Sequence, residues 1–432
     1  MTTTAQARTS VGVAGRMDPH DAVDRTERSR LRRVQFAWAL MVLNVLTFYG
    51  EAARLIPLPD VVGTMVTQSA LLGALLLALS ANRPAAVRPN VFLLLLTLVP
   101  IHALLISLHA EFLLGAVFRS GRLALFVVVL WLLTPWWDRE DRLLVRTHLV
   151  VLWLILGTVV VGLLVAPSLA MTDNRLAGVV WPIPWTQVGH YSAVVAGLSL
   201  VLWLSGLMTR YVALLSIGIA VPMLILTHTR TALVAFVAGI VIAGLSLFTA
   251  RARVRKAFAA GLVLLSFGAI TVSSLVATWL ARGQDSDEVG QLTGRTQVWE
   301  AILAEPRTML ETIVGTGLSN KSFNGLPIDS NWLATYHDLG LLGVCVNAAL
   351  LLFVFVVAAL RTKGPRRALA LFLVTYCFVA SFTETGLSDA SPYLLELTLA
   401  ASLVVSPVAR HLPSVLRQRQ LPPAVSRQRG RT

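Results

Sequence analysis

Charge is scarce in this 432-residue chain: 13% of residues are charged, 56% are hydrophobic, and mean hydropathy is +0.73. That shortage excludes an ordinary soluble domain and leaves a polytopic membrane protein. Cysteine is nearly missing, and Cys345 and Cys377 both fall inside apolar runs. No disulfide framework or metal site is expected, and the two read as small core residues. Residues 1–33 lack any apolar stretch and mix both signs of charge, which excludes a cleaved signal and predicts a disordered cytoplasmic tail. No internal repeat or low-complexity module is present.

What the chain does have is apolar runs long enough to cross a hydrocarbon core of about 30 Å. They occupy 34–50, 61–81, 91–108, 118–137, 148–167, 188–206, 211–227, 231–249, 257–280, 338–360, 368–383 and 393–409. The expectation is an all-α membrane protein whose polytopic domain spans 34–409 in about twelve transmembrane helices, with both termini on one side. An extracytoplasmic loop over 281–337 separates the ninth and tenth helices, and a basic, Pro-containing tail over 410–432 suits contact with anionic lipid heads.

The net charge of +14 would fit nucleic acid, but its distribution argues for topology instead. Residues 251–256, 361–367, Arg83, Arg88, Arg139, Arg142, Arg146 and Arg210 share the side of the two tails, which marks that side as cytoplasmic. Nine cations remain opposite: Arg54, Arg119, Arg122, Arg175, Arg230, Arg282, Arg295, Arg307 and Lys321. Arginines on the outer side run against the usual bias, and a guanidinium there is suited to an anion.

In such a chain the polar interval from about Arg282 to Asp338 is the place to look for a site. Arg230, in Thr-His-Thr-Arg-Thr, occupies a short outer turn, where it can fork onto a phosphate or pyrophosphate or can snorkel at a helix end. Arg295 follows Gly294, with Thr293 or Thr296 as a cap for a helix running to about Leu303. It can hold an anion or pair with an acid such as Glu300. Trp299 shares its face and is suited to burying that helix or stacking on a sugar. Asp329, leading into the tenth run, can take a proton from an acceptor hydroxyl or serve as an N-cap. His337 is a second possible base or a buried structural residue.

Further candidates lie elsewhere. Arg175 and His190 flank an aromatic outer loop in which Trp181 and Trp185 read as membrane-interface residues. Arg119 and Arg122, spaced three apart, share a helical face and are further phosphate candidates. Glu384 and Asp389 can pair with arginines or act as bases, and Glu396 is an intramembrane acid that requires a partner. The turn 315–325 is Gly- and Asn-rich, but no strand precedes it, so it is no nucleotide fingerprint.

Together these segments resemble the O-antigen ligase and polymerase family of bacterial envelope glycosyltransferases. Thr229-Arg230-Thr231-Ala232 is similar to that family's arginine motif. Gly294, Arg295 and Trp299 match its Gly-Arg-x-x-x-Trp, Gly315 and Gly317 its Gly-x-Gly turn, and Leu333 with Gly340-Leu341-Leu342-Gly343 its closing element. The family's histidine falls on Asp329 and its asparagine on Ser330, a departure at the proposed base.

The resemblance implies a GT-C-like enzyme of the bacterial cytoplasmic (inner) membrane, with its site on the extracytoplasmic face. It would transfer a glycan, with inversion and without metal or cofactor, from an undecaprenyl-pyrophosphate-type donor to an acceptor hydroxyl on a glycan, lipid or protein. Arg230 and Arg295 would hold the leaving pyrophosphate and Asp329 would act on the acceptor, while Arg175, Arg119, Arg122, Trp299 and His337 would line the substrate sites. A repeat-unit polymerase and a non-catalytic glycolipid transporter or scaffold are the alternatives. Against a transporter stand the few midplane charges and the lack of paired broken helices in corresponding halves.

Overall fold

The computed structural model describes residues 19–49, 54–57, 59–82, 86–108, 113–139, 142–249, 251–271, 295–319 and 321–405. Arg83, Arg282, Thr293, Gly294, the stretch 272–280 and the C-terminal tail lie outside the described residues. Apart from two short hairpins the fold is helical. Its helices are α1 Pro19–Asn44, α2 Asp60–Ala81, α3 Val91–Ser107, α4 Leu113–Leu133, α5 Leu143–Val165, α6 Pro167–Ala170, α7 Trp185–Leu204, α8 Arg210–Leu226, α9 Arg230–Phe248 and α10 Ala252–Thr271. They continue with α11 Arg295–Ala304, α12 Met309–Val314, α13 Asn331–Leu360, α14 Pro365–Ala380 and α15 Pro392–Val404. Residues 19–33, expected as part of a disordered tail, belong instead to α1, which is continuous through the basic run into the first apolar one.

Among the described residues six helices are long and apolar enough to cross a membrane: α2, α4 with the turn after it, α5, α7, α9 and α13. Helices α3, α8 and α15 are apolar but shorter. Their arrangement is that of a bundle in lipid, since apolar side chains cover the outside as well as the core. Leu76, Leu114 and Leu164 are respectively 67%, 83% and 77% exposed on its flank. Helices α7, α14 and α15 form the centre, buried on nearly every side. Gly197 and Gly239 let α7 and α9 close around the Phe372 ring of α14, where an added Cβ would sit 1.9 and 2.8 Å from it. Cys377 is buried in this centre, whereas Cys345 is exposed, contrary to its reading as a core residue.

The two ends of the bundle differ. At one end Asp138 binds Arg361, 2.8 Å away, and Arg366, and Arg361 also donates to the Val404 carbonyl. At the other end lie the starts of α7, α9, α13 and α15, joined by two hairpins. One pairs β1 (Met171–Thr172) with β2 (Arg175–Leu176), and the other pairs β3 (Ser322–Phe323) with β4 (Leu326–Pro327). Their central residues, Asp173-Asn174 and Asn324-Gly325, all have positive φ, the conformation that tight two-residue hairpin turns require.

Helix α13 is broken at Gly340, which has φ 62° and ψ −167°. The carbonyls released by the break find other donors. Gly317 N–H donates to Asp338 O at 2.9 Å, Thr316 N–H and hydroxyl donate to His337 O, and His102 Nε2 lies 3.1 Å from Leu339 O. The 315–317 turn is thus fitted to a helix break, a role its sequence did not disclose.

Candidate functional site

Arg230 is the first residue of α9, set there by a turn in which His228 takes φ 51° and Thr229 is the N-cap. Gly189 of α7 lets this turn approach closely, because a Cβ there would lie 2.7 and 2.8 Å from the Thr227 and Thr229 hydroxyls. The first hairpin delivers Arg175, whose guanidinium stacks over the Trp185 ring at 5.1 Å. Arg295 opens α11, and its Nε donates to Asp329 Oδ2 at 3.0 Å.

All three arginines line one cavity of about 510 Å³, and their charges press on one another. Thr231 and Thr383 join its walls through a hydroxyl–hydroxyl hydrogen bond of 2.5 Å. Val234, Val379 and Phe382 add an apolar part to its lining. A cationic head beside an apolar flank fits an amphiphilic anion.

A second cavity, of about 380 Å³, opens among the ends of α1, α2, α7 and α15. Arg122 lines it and donates to Asn44 O at 2.9 Å and Ala390 O at 3.3 Å. Arg119 is spent on Asp389, 3.4 Å away, which Lys321 also approaches at 3.3 Å. Burial works to raise the Asp389 carboxyl, but Lys321, Arg119 and Arg122 together hold it below the usual carboxylate range.

The two cavities share Thr186 and Glu384. Glu384 lies in the 381–391 connection, half-buried, and its carboxylate has no ion pair or side-chain hydrogen bond among the described residues. Burial pushes that carboxyl up to about 7, opposed by Arg295 and His190 and reinforced by Asp329. Asn331 fixes the connection, its side-chain oxygen accepting from the N–H groups of Gly386 and Leu387.

Comparison with known protein families and with characterised proteins finds no match to this chain. The site therefore carries the functional reading.

The structure gathers Arg175, Arg230 and Arg295, and sets Asp329 against Arg295. Asp329 is not the N-cap of α13, since Ser330 holds that position and makes no side-chain cap bond. Trp299 lies in a satellite apolar cluster with Val298, Ile302, Ile328 and Ala334, so it buries α11 and lines neither cavity. His337 contacts Asp338 at 3.1 Å and the edge of Phe323, also away from both cavities. Glu396 has the partners its burial demands: His190 Nε2 at 2.9 Å and His148 Nε2 at 3.8 Å, with His190 Nδ1 3.0 Å from the Tyr376 hydroxyl. No local spacing links residues 148, 190 and 396, so this grouping was invisible in the sequence. Thr186 went unnoticed for the same reason: a lone threonine carries no signal until two cavities are seen to meet beside it.

Proposed function

We propose that the chain transfers a glycan from an undecaprenyl-pyrophosphate-type lipid to an acceptor hydroxyl, as an O-antigen ligase-like, metal-independent inverting glycosyltransferase. In this reading it is a multi-pass protein of the bacterial inner membrane with about twelve spans, and its site faces outward. The observation that carries the proposal is the convergence of Arg175, Arg230 and Arg295 on a single cavity whose lining also includes the apolar Val234, Val379 and Phe382.

The pyrophosphate binds among the guanidinium forks and the lipid tail lies along Val234, Val379 and Phe382. As the bond from the anomeric carbon to the phosphate oxygen breaks, negative charge grows on the leaving pyrophosphate, and the fixed cations that line the recess stabilise it. Asp329 holds the Arg295 guanidinium in place from behind.

Binding of undecaprenyl pyrophosphate to the full chain in lipid nanodiscs tests this reading. Arg230→Ala and Arg295→Ala are each expected to weaken binding by about tenfold or more, the scale of a charged hydrogen bond. Affinity unchanged in both variants would sink it.

A further inference from the structure

Four carboxylates lie around the two cavities or directly behind them, and three are already committed. Asp329 is held by Arg295, Asp389 by Arg119 and Lys321, and Glu396 by His190. Glu384 alone has no such partner among the described residues, and it stands where the cavities meet. The second cavity differs chemically from the first. Thr47, Thr64, Gln68, Thr186 and Thr385 line it, and none has a side-chain hydrogen bond to another described residue. Uncommitted hydroxyls and an amide at the wall of a recess match a polyhydroxylated ligand, whose many donors and acceptors require neutral polar partners.

We infer that Glu384 is the general base of the transfer, and that the 380 Å³ cavity holds the hydroxyl-bearing saccharide acceptor. This rests on the proposed function. The acceptor oxygen attacks the anomeric carbon of the donor from the second cavity, and its proton passes to the Glu384 carboxylate. A new carbon–oxygen bond forms as the bond to the pyrophosphate oxygen breaks. The electron pair of that bond leaves with the lipid pyrophosphate held by the arginines. Glu384 then returns its proton to water, and the products are the glycoside and the lipid pyrophosphate.

Charged and titratable groups face Glu384 from each neighbouring element: Arg175 from β2, His190 from α7, Arg230 from α9, Arg295 from α11 and Asp329 ahead of α13. Among the described residues Arg122 of α4, which lines the second cavity, Tyr376 of α14 and Tyr393 of α15 are its further neighbours. Burial, reinforced by Asp329 and opposed by Arg295 and His190, leaves the carboxyl at about 7, close to the working pH, where a general base is most effective. Asp329, tied to an arginine, is on this account a positioning residue. The role that the resembled family gives to a histidine at position 329 falls on this account to the connection between α14 and α15.

The test is single-turnover transfer by the full chain in nanodiscs, from an undecaprenyl-pyrophosphate-linked oligosaccharide to an envelope lipid extract, between pH 5.5 and 8.5. Wild type should lose rate as pH falls through about 7. Glu384→Gln should lose about 100-fold or more and become flat with pH, while binding undecaprenyl pyrophosphate within twofold of wild type. Glu384→Asp should recover part of the rate together with a pH step, and Asp329→Asn should keep the step. Gln68→Leu should slow transfer at low acceptor concentration and leave donor binding alone.

A Glu384→Gln variant that retains the wild-type rate or pH step overturns the base assignment while the proposed function stands. Gln68→Leu with an unchanged acceptor dependence overturns the acceptor cavity. Wild type that transfers nothing overturns the proposed function and this inference with it.

Discussion

The Asn331 side-chain oxygen accepts hydrogen bonds from Leu387 N–H at 2.9 Å and Gly386 N–H at 3.2 Å, tying the start of α13 to the connection that carries Glu384. Asn331 is 2% exposed, so these bonds are made away from water. Replacing it with alanine leaves two buried donors without acceptors, a loss of about 2 kcal/mol or more. Asn331→Ala should therefore speed amide exchange in residues 382–390 ahead of the rest of the bundle. Hydrogen exchange followed by mass spectrometry checks this, and protection equal to wild type there would contradict it.

Gly340 and Gly315 pack backbone against backbone. A Cβ on Gly340 would fall 2.4 Å from the Ile313 carbonyl oxygen, and one on Gly315 would fall 2.4 Å from that of Asp338, with φ at +62° and +87°. Each alanine substitution thus adds a clash with main chain to an unfavourable φ, and roughly 2 kcal/mol or more is expected from each. Gly218→Ala in α8, with nothing within 4 Å of the added carbon, serves as the control. Thermal unfolding in nanodiscs should show Gly340→Ala and Gly315→Ala well below wild type and Gly218→Ala close to it.

Glu384 makes stability depend on pH in a direction that can be worked out. Its folded value of about 7 lies above the ordinary 4.5, so between these the native state binds more protons than the unfolded one. The stabilising contribution is full below pH 4.5 and is lost as pH rises through about 7. Glu384→Gln does not titrate, and at pH 8 it should exceed wild type by about 3 kcal/mol, with the two converging near pH 4.5. Paired thermal melts across that range decide the point. A constant gap would contradict it.

His190 is the nearest partner of Glu396, which is fully buried. His190→Leu leaves that acid beside the weaker His148 contact at 3.8 Å, and a loss of roughly 3–5 kcal/mol is expected. The double variant His190→Leu, Glu396→Leu removes the uncompensated acid and should recover most of it. Yield of folded protein and its melting temperature report the result, and a double variant no better than the single one would refute the pairing.

Several of these features could be read in the chain beforehand. Arg230 was expected at an outer turn and stands at the start of α9, because Thr-His-Thr breaks one apolar run and begins the next. The segment 315–325 was read as a Gly- and Asn-rich turn, and its Asn324-Gly325 end closes a hairpin, since those two residues tolerate positive φ. Six of the expected spans reappear as helices long and apolar enough to cross a membrane, and three more as shorter apolar helices. The break at Gly340 escaped notice because Gly-Leu-Leu-Gly sits in continuous apolar sequence, and hydropathy does not register φ. Glu384 and Asp389 looked alike, two acids five residues apart. Only packing distinguishes the one surrounded by three cations from the one left at the meeting of two cavities.

The interruption of α13 at Gly340 divides one helix into two rods. Residues 331–339 pack with α11 and the second hairpin around a small apolar nucleus of Val298, Ile302, Ile328 and Ala334, whereas the rest of α13 belongs to the bundle. Regions held by few buried contacts open before the global transition. Among the described residues the layer around this nucleus is therefore expected to open before the helices of the bundle, loosening and reseating while they stay packed.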